Sequence, residues 1–128
     1  MVFVTETQNK KYEVVRAFNQ QNGQELWKTS WEGKMKVPFF AGKRGAWIRS
    51  TPAFDGERLY VSGMRDVLFC LHSEDGRVIW KLDFVDQFST PLPNFGFVSS
   101  PLVIDQHVYV QAGASFVKIN KYTGEVVW

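Results

Sequence analysis

The sequence predicts an all-β fold, a β-propeller segment of about three four-stranded antiparallel blades, and three observations predict it. First, one ending is written three times: Asn22-Gly23-Gln24-Glu25-Leu26-Trp27, Asp75-Gly76-Arg77-Val78-Ile79-Trp80 and Thr123-Gly124-Glu125-Val126-Val127-Trp128. The glycines stand at 23, 76 and 124, intervals of 53 and 48 residues, and self-similarity at a period of this size marks a repeat architecture. Second, an opening recurs at an offset of 49 residues: Thr51-Pro52 as Ser100-Pro101, and Leu59-Tyr60-Val61 as Val108-Tyr109-Val110. Third, short β-branched and aromatic runs alternate with turn dipeptides about every 8–12 residues, as in hairpin-linked strands.

The elements follow in order. Met1 to Thr5, Tyr12 to Asn19 and Gln24 to Thr29 read as the second, third and fourth strands of a first blade (1–30) that lacks its beginning. The second blade (48–84) is whole: Ser50 to Phe54, Arg58 to Ser62, Val67 to His72 and Arg77 to Leu82. The third blade (97–128) repeats it as Ser99 to Ile104, His107 to Gln111, Phe116 to Asn120 and Glu125 to Trp128. Eleven strands result, and no helix is expected. Pro52 and Pro101 suit strand starts, where a missing N–H is tolerated. Asp55-Gly56 is a hairpin signal, matched more weakly by Asp105-Gln106. Each Gly of the thrice-written ending supplies the positive φ of a tight turn, and Asn19, His72 and Asn120 precede those turns as candidate acceptors for turn amides. Four residues past the Gly, alternation returns Trp to the same face. Trp27, Trp80 and Trp128 are therefore packing residues, lying over their own blade or the next.

Composition narrows the functional classes. At 128 residues with 45% hydrophobic and 22% charged content, the chain can form one domain with a real core. A net charge of +2 with scattered Lys and Arg gives no basic stripe for nucleic acid. Cys70 is the only cysteine, so an internal disulfide and a thiolate metal cluster are both excluded. No apolar run is long enough to span a bilayer as a helix. No signal peptide is legible, because Met1-Val2-Phe3-Val4 already reads as the middle of a repeat.

The blade endings "LFCLHSEDGRVIW" and "FVKINKYTGEVVW", with the openings "STPAFDGERLYV" and "SSPLVIDQHVYV", resemble the quinoprotein-type, or PQQ-like, β-propeller repeat. The resemblance spans essentially the whole chain and implies the fold. It leaves two functional groups open. One is the quinone-dependent alcohol and sugar dehydrogenases, with PQQ and calcium on the propeller axis. The other is non-catalytic scaffolds, among them the BamB-like lipoproteins of outer-membrane assembly. Members usually carry seven or eight blades, roughly 340–390 residues at this period, so the chain is expected to be a piece of a larger propeller. A periplasmic or extracellular location is implied by the same resemblance.

Function is expected where the repeat breaks. Joins from one blade to the next lie on one face with the loops between second and third strands, and the tight Gly turns lie on the other. The joins are long, Trp31 to Arg49 and Asp83 to Val98, and long loops on a rigid scaffold are the usual place for binding. Trp31 and Trp47 are the two Trp outside the repeated ending. With Arg49, with Arg65 on the neighbouring hairpin loop, and with Asn94 and Phe95 in the second join, they are the candidate ligand-binding residues. A cationic, aromatic-walled surface of this kind suits an anionic ring compound or a peptide partner. The competing structural reading has these aromatics plugging blade to blade.

Catalytic constellations are absent from the sequence. His72 and His107 have no partners at metal-ligand spacing, and no nucleophile elbow or phosphate-cradling Gly-rich loop is present. Asp83, Asp86 and Asn94 are the nearest approach to a calcium ligand set, in no recognised order. PQQ and calcium therefore rest on the resemblance alone. The leading expectation is a non-catalytic scaffold with no catalytic or metal residues, and the alternative is a fragment of a PQQ-dependent alcohol or sugar dehydrogenase. Incomplete terminal blades also predict self-association through exposed blade faces.

Overall fold

The structure, a computed structural model, describes residues 1–8, 12–33, 50–63, 66–88, 99–112 and 115–128. Three antiparallel sheets stack in chain order, one for each copy of the repeat. The first holds β1 (Val2–Gln8), β2 (Tyr12–Phe18) and β3 (Glu25–Glu32), side by side in that order. The second runs β4 (Ala53–Phe54), β5 (Arg58–Gly63), β6 (Val67–His72), β7 (Val78–Asp83). The third runs β8 (Leu102–Ile104), β9 (His107–Ala112), β10 (Ser115–Asn120).

Sheet position explains the hydrophobic pattern of each strand. The second sheet is covered on both faces, so β5 and β6 read as near-continuous apolar runs and are buried along almost their whole length. Leu59, Val61, Phe69 and Leu71 pack against Val15, Ala17 and Trp27 of the first sheet. Tyr60, Leu68, Cys70 and Trp80 pack against Val108, Val110, Val117 and Ile119 of the third. The third sheet is covered on one face, and β10 alternates accordingly: Val117 and Ile119 buried, Phe116 exposed. Fully burying an aliphatic side chain contributes about 1.5–3 kcal/mol, so these two interfaces hold the stack together.

The thrice-written ending makes the same turn each time. Gly23, Gly76 and Gly124 have φ of 72°, 77° and 78°. Their N–H groups donate to the carbonyls of Asn19, His72 and Asn120 at 2.8–2.9 Å. The Asn19 and Asn120 side chains accept further turn amides, as expected. His72 does not, and its Nδ1 has no hydrogen-bond partner among the described residues.

The Trp of the first two endings reaches the next sheet, whereas Trp128, expected to pack likewise, is 58% exposed. Trp27 Nε1 donates to the Ser73 carbonyl at 2.7 Å, and its ring covers Gly76. Trp80 Nε1 donates to the Lys121 carbonyl at 2.8 Å, and its ring covers Gly124, where an added Cβ would stand 2.8 Å away. Glycine is required at both turns twice over, by the left-handed φ and by the ring above it.

The structure departs from expectation in three places. The strands expected from Ser50 and Ser99 begin pairing only at Ala53 and Leu102, because Pro52 and Pro101 have no N–H to place in a ladder. The strand expected over Glu125 to Trp128 is reduced to a single bridge, Ile119 with Val126, extended by hydrogen bonds between Lys118 and Trp128. A one-turn helix, α1 (Phe84–Phe88), forms where none was expected. Asp83 starts it, its Oδ1 accepting the N–H groups of Val85 and Asp86 at 3.0 and 3.2 Å. Among the described residues no helix is long and apolar enough to cross a membrane.

Candidate functional site

Antiparallel pairing sends the strand ends to two opposite edges of the stack. The Gly turns gather at one edge. At the other, β3 ends at Glu32, β5 ends at Gly63, β6 begins at Val67 and β7 ends at Asp83, which is also where the long joins depart. A cavity of about 270 Å³ opens there between the first and second sheets.

Its centre is a pair written across two strands. Glu13 of β2 stands opposite Trp31 of β3, and Trp31 Nε1 donates to Glu13 Oε2 at 2.5 Å. The Trp31 ring stacks on Phe69 of the second sheet, centroids 4.0 Å apart and planes inclined by 20°. Glu13 is only 1% exposed, an unusual position for a carboxylate, and two glycines make room for it. A Cβ on Gly33 would run into the Glu13 carboxyl, and one on Gly63 would stand 2.7 Å from Glu13 Oε2. Glu32, Lys81 and Asp83 complete the polar lining. Three carboxylates, one ammonium and an aromatic wall favour cationic or hydrogen-bond-donating groups over anions.

The repeat places a second buried carboxylate at the same register. Glu13 and Asp66 each precede the turn-supporting residue, Asn19 or His72, by six positions. Trp31 and Phe84 each follow the Trp of the repeated ending, Trp27 or Trp80, by four, and the Phe84 N–H donates to the Asp66 carbonyl at 3.0 Å. Phe84 therefore occupies the place of Trp31 without its indole donor. Asp66 is 1% exposed, and neither carboxylate oxygen has a hydrogen-bond partner among the described residues. Burial, with the neighbouring Asp83 charge adding to it, pushes its carboxyl up to about 6. Its φ of 59° is one that Asp tolerates better than most residues.

At the opposite edge a polar cluster ties the second sheet to the third. Asp55 accepts the N–H groups of Glu57 and Arg58 and the Tyr60 hydroxyl, and pairs with Lys121 at 3.1 Å. Burial acts to raise the Asp55 carboxyl, but these hydrogen bonds hold it below the usual carboxylate range. Arg58 lies over the Tyr122 ring and donates to the carbonyls of Lys121 and Tyr122. This is a structural joint rather than an open site.

Of the residues singled out from the sequence, Trp31 lies in the cavity. It sits within β3 rather than in a loop, because its backbone continues the ladder opposite Glu13. Trp47, Arg49, Arg65, Asn94 and Phe95 lie outside the described residues. The described lining is acidic, and the two arginines of the expected cationic wall, Arg49 and Arg65, are among the residues not described. Glu13 and Asp66 escaped sequence reasoning. Their signal was an acid at one repeated register, Glu13 at the head of the buried strand Tyr12-Glu13-Val14-Val15 and Asp66 just before Val67-Leu68-Phe69.

Cys70, the one cysteine of the sequence, is buried between the second and third sheets, where burial pushes its thiol up to about 12. Among the described residues no group of three His, Cys, Asp or Glu side chains is placed to hold a metal ion.

Comparison with known proteins gives a consistent picture. The family model described as outer membrane protein assembly factor BamB matches residues 11–128. The BamB of Shewanella oneidensis is 24% identical over 113 residues, which are 88% of this chain and 26% of that protein. The crystal structure of BamB from Moraxella catarrhalis superposes on 98% of this chain with a TM-score of 0.64 at 12% identity, using 31% of its own length. The quinohemoprotein alcohol dehydrogenase of Comamonas testosteroni does so over 98% with a TM-score of 0.67 at 17% identity, using 18% of its length. At these identities the solved structures show the fold, a β-propeller. The chain spans about a quarter of the curated relative it matches.

Proposed function

This chain belongs to the BamB family of outer membrane protein assembly factors, and on that premise we propose that it is a non-catalytic propeller scaffold. Its binding face is the edge that carries the long joins, and its partner is a protein. Trp31, Trp47, Arg49, Arg65, Asn94 and Phe95 form the contact surface. The observation that carries this reading is the cavity at that edge, where Trp31 stacks on Phe69 beside the buried Glu13 carboxylate. A rigid aromatic wall with carboxylates at its rim fits a side chain or backbone donor of a docked polypeptide. The family implies a periplasmic or extracellular setting, and the exposed terminal sheet faces favour self-association.

The second reading is a segment of a quinone-dependent alcohol or sugar dehydrogenase, favoured by the superposition on the Comamonas enzyme. PQQ and calcium would supply redox chemistry there.

Photo-crosslinkers placed at Trp47 and Arg49, and at Asn22 on the turn edge as control, separate the two. In cells that assemble outer-membrane proteins, adducts to a protein of that assembly pathway are expected from the join edge alone. Adducts only from Asn22 overturn the reading. Addition of PQQ and calcium that yields cofactor absorbance and dye-linked alcohol oxidation establishes the dehydrogenase instead.

A further inference from the structure

The cavity at the join edge specifies more than a place for a partner. At about 270 Å³ it falls short of the roughly 300–1,000 Å³ clefts that take whole small molecules, so its size suits one side chain reaching in. Trp31 and Phe69 both line it, and their stacked rings fix an aromatic wall across two sheets. Glu13 is held in that wall by the Trp31 indole and lends its charge from a buried position.

The rim carries the charge that reaches outward. Glu32 and Asp83 end β3 and β7 on neighbouring sheets, and both line the cavity. Asp83 uses Oδ1 to cap α1, which leaves Oδ2. Among the described residues neither Glu32 nor Lys81 enters an ion pair. Asp66, whose buried carboxylate has no hydrogen-bond partner among the described residues, interacts with the Asp83 charge and adds to the same negative field at neutral pH. Three lining carboxylates against one ammonium, in a chain of net charge +2, make this acidity local.

We infer that the cavity receives an arginine side chain of the docked polypeptide, its guanidinium plane against Trp31 and Phe69 and its N–H groups on Glu32 and Asp83. The inference rests on the reading of this edge as a protein-binding face and names the group it takes. A guanidinium is planar and weakly hydrated, so it stacks on a ring while forking to carboxylates, whereas a lysine ammonium is a strongly hydrated point charge. Lys81 has the same sign as the guest and opposes it, so its removal acts in the opposite direction to loss of a rim carboxylate.

Titration of the chain with acetyl-Gly-Arg-Gly-amide, and with its citrulline counterpart as the uncharged isostere, tests this. The Trp31 indole N–H resonance, identified by its loss in Trp31→Phe, reports occupancy. The arginine peptide should shift it saturably at about millimolar strength, and the citrulline peptide should not. Glu32→Gln combined with Asp83→Asn keeps the side-chain shapes and the α1 cap, and should weaken binding about tenfold. Lys81→Gln should strengthen it about threefold, which general damage to the fold would not do. No shift in the parent, equal shifts from both peptides, or weaker binding by Lys81→Gln overturns the inference. So does a shift that emerges only when Arg49 and Arg65 are replaced by Ala, which would give the cavity to the chain's own basic residues. The crosslinks at Trp47 and Arg49 decide the protein-binding reading without involving this cavity, so either can fail alone.

Discussion

Replacing Asp66 by Asn should stabilise the chain at neutral pH and leave it almost unchanged at pH 4. The Asp66 carboxyl is buried, has no hydrogen-bond partner among the described residues, and titrates at about 6 against an ordinary 3.8. A folded value above the unfolded one means that the folded state holds the proton more tightly. The stabilising contribution is complete below about 3.8, declines as pH rises, and is lost above about 6. One pH unit corresponds to about 1.36 kcal/mol, so the ionised carboxylate costs up to about 3 kcal/mol at pH 7. Asn keeps the shape, accepts the φ of 59° and cannot ionise. Urea unfolding followed by Trp fluorescence between pH 4 and pH 8 reads the difference directly. The variant should be about 1–3 kcal/mol more stable at pH 7, with a flatter profile. Asp83→Asn should flatten it less, because burial outweighs the Asp83 charge among the causes. An Asp66→Asn variant less stable than the parent at pH 7, or a difference constant across the range, refutes the argument.

Gly76→Ala and Gly23→Ala form a pair at nearly equal φ. The first places a methyl inside the Trp27 ring and should cost more than about 2 kcal/mol in urea unfolding, while the second bears only the left-handed strain of about 1 kcal/mol. Trp31→Phe keeps a ring over Phe69 but removes the hydrogen bond to buried Glu13, a loss of about 1–3 kcal/mol by thermal or urea denaturation. Asp55, held below 3.8, contributes stability above that pH and loses it on acidification. Asp55→Asn should therefore be destabilised at pH 7 and should lose less on going from pH 4 to pH 2. Native Cys70, buried and with its thiol raised, should resist an aromatic disulfide reagent at pH 8 and react fully in urea.

Turn chemistry and alternation made most of the fold legible. Gly23, Gly76 and Gly124 fixed the hairpins because only a left-handed residue closes that turn, whereas the double coverage of β5 and β6 emerged only from the packing of the three sheets. The site was half legible. Trp31 stood out as a Trp outside the repeated ending, and the structure gives it a stacking partner on another sheet. Its bond to Glu13 was hidden because β2 and β3 pair across a turn, so the contact falls 18 residues away in sequence. Asp66 was hidden for a further reason. What marks it is a missing donor, and only the comparison of Trp31 with Phe84 at one register shows what is missing. The helix at Phe84 was missed because Asp83 reads equally well as a strand end and as an N-cap.

The interlocking of each Trp with the following turn bears on how such chains change over time. Every copy brings one ring and one glycine pocket, so a whole copy can be gained or lost without orphaning either half of a joint. Deleting the second sheet would set Trp27 over Gly124, with the Lys121 carbonyl replacing that of Ser73. A cut made inside a copy would strand a ring on one side and a bare turn on the other. Blade number is thereby a quantity that inheritance can alter in whole steps, while the geometry of each step stays the same.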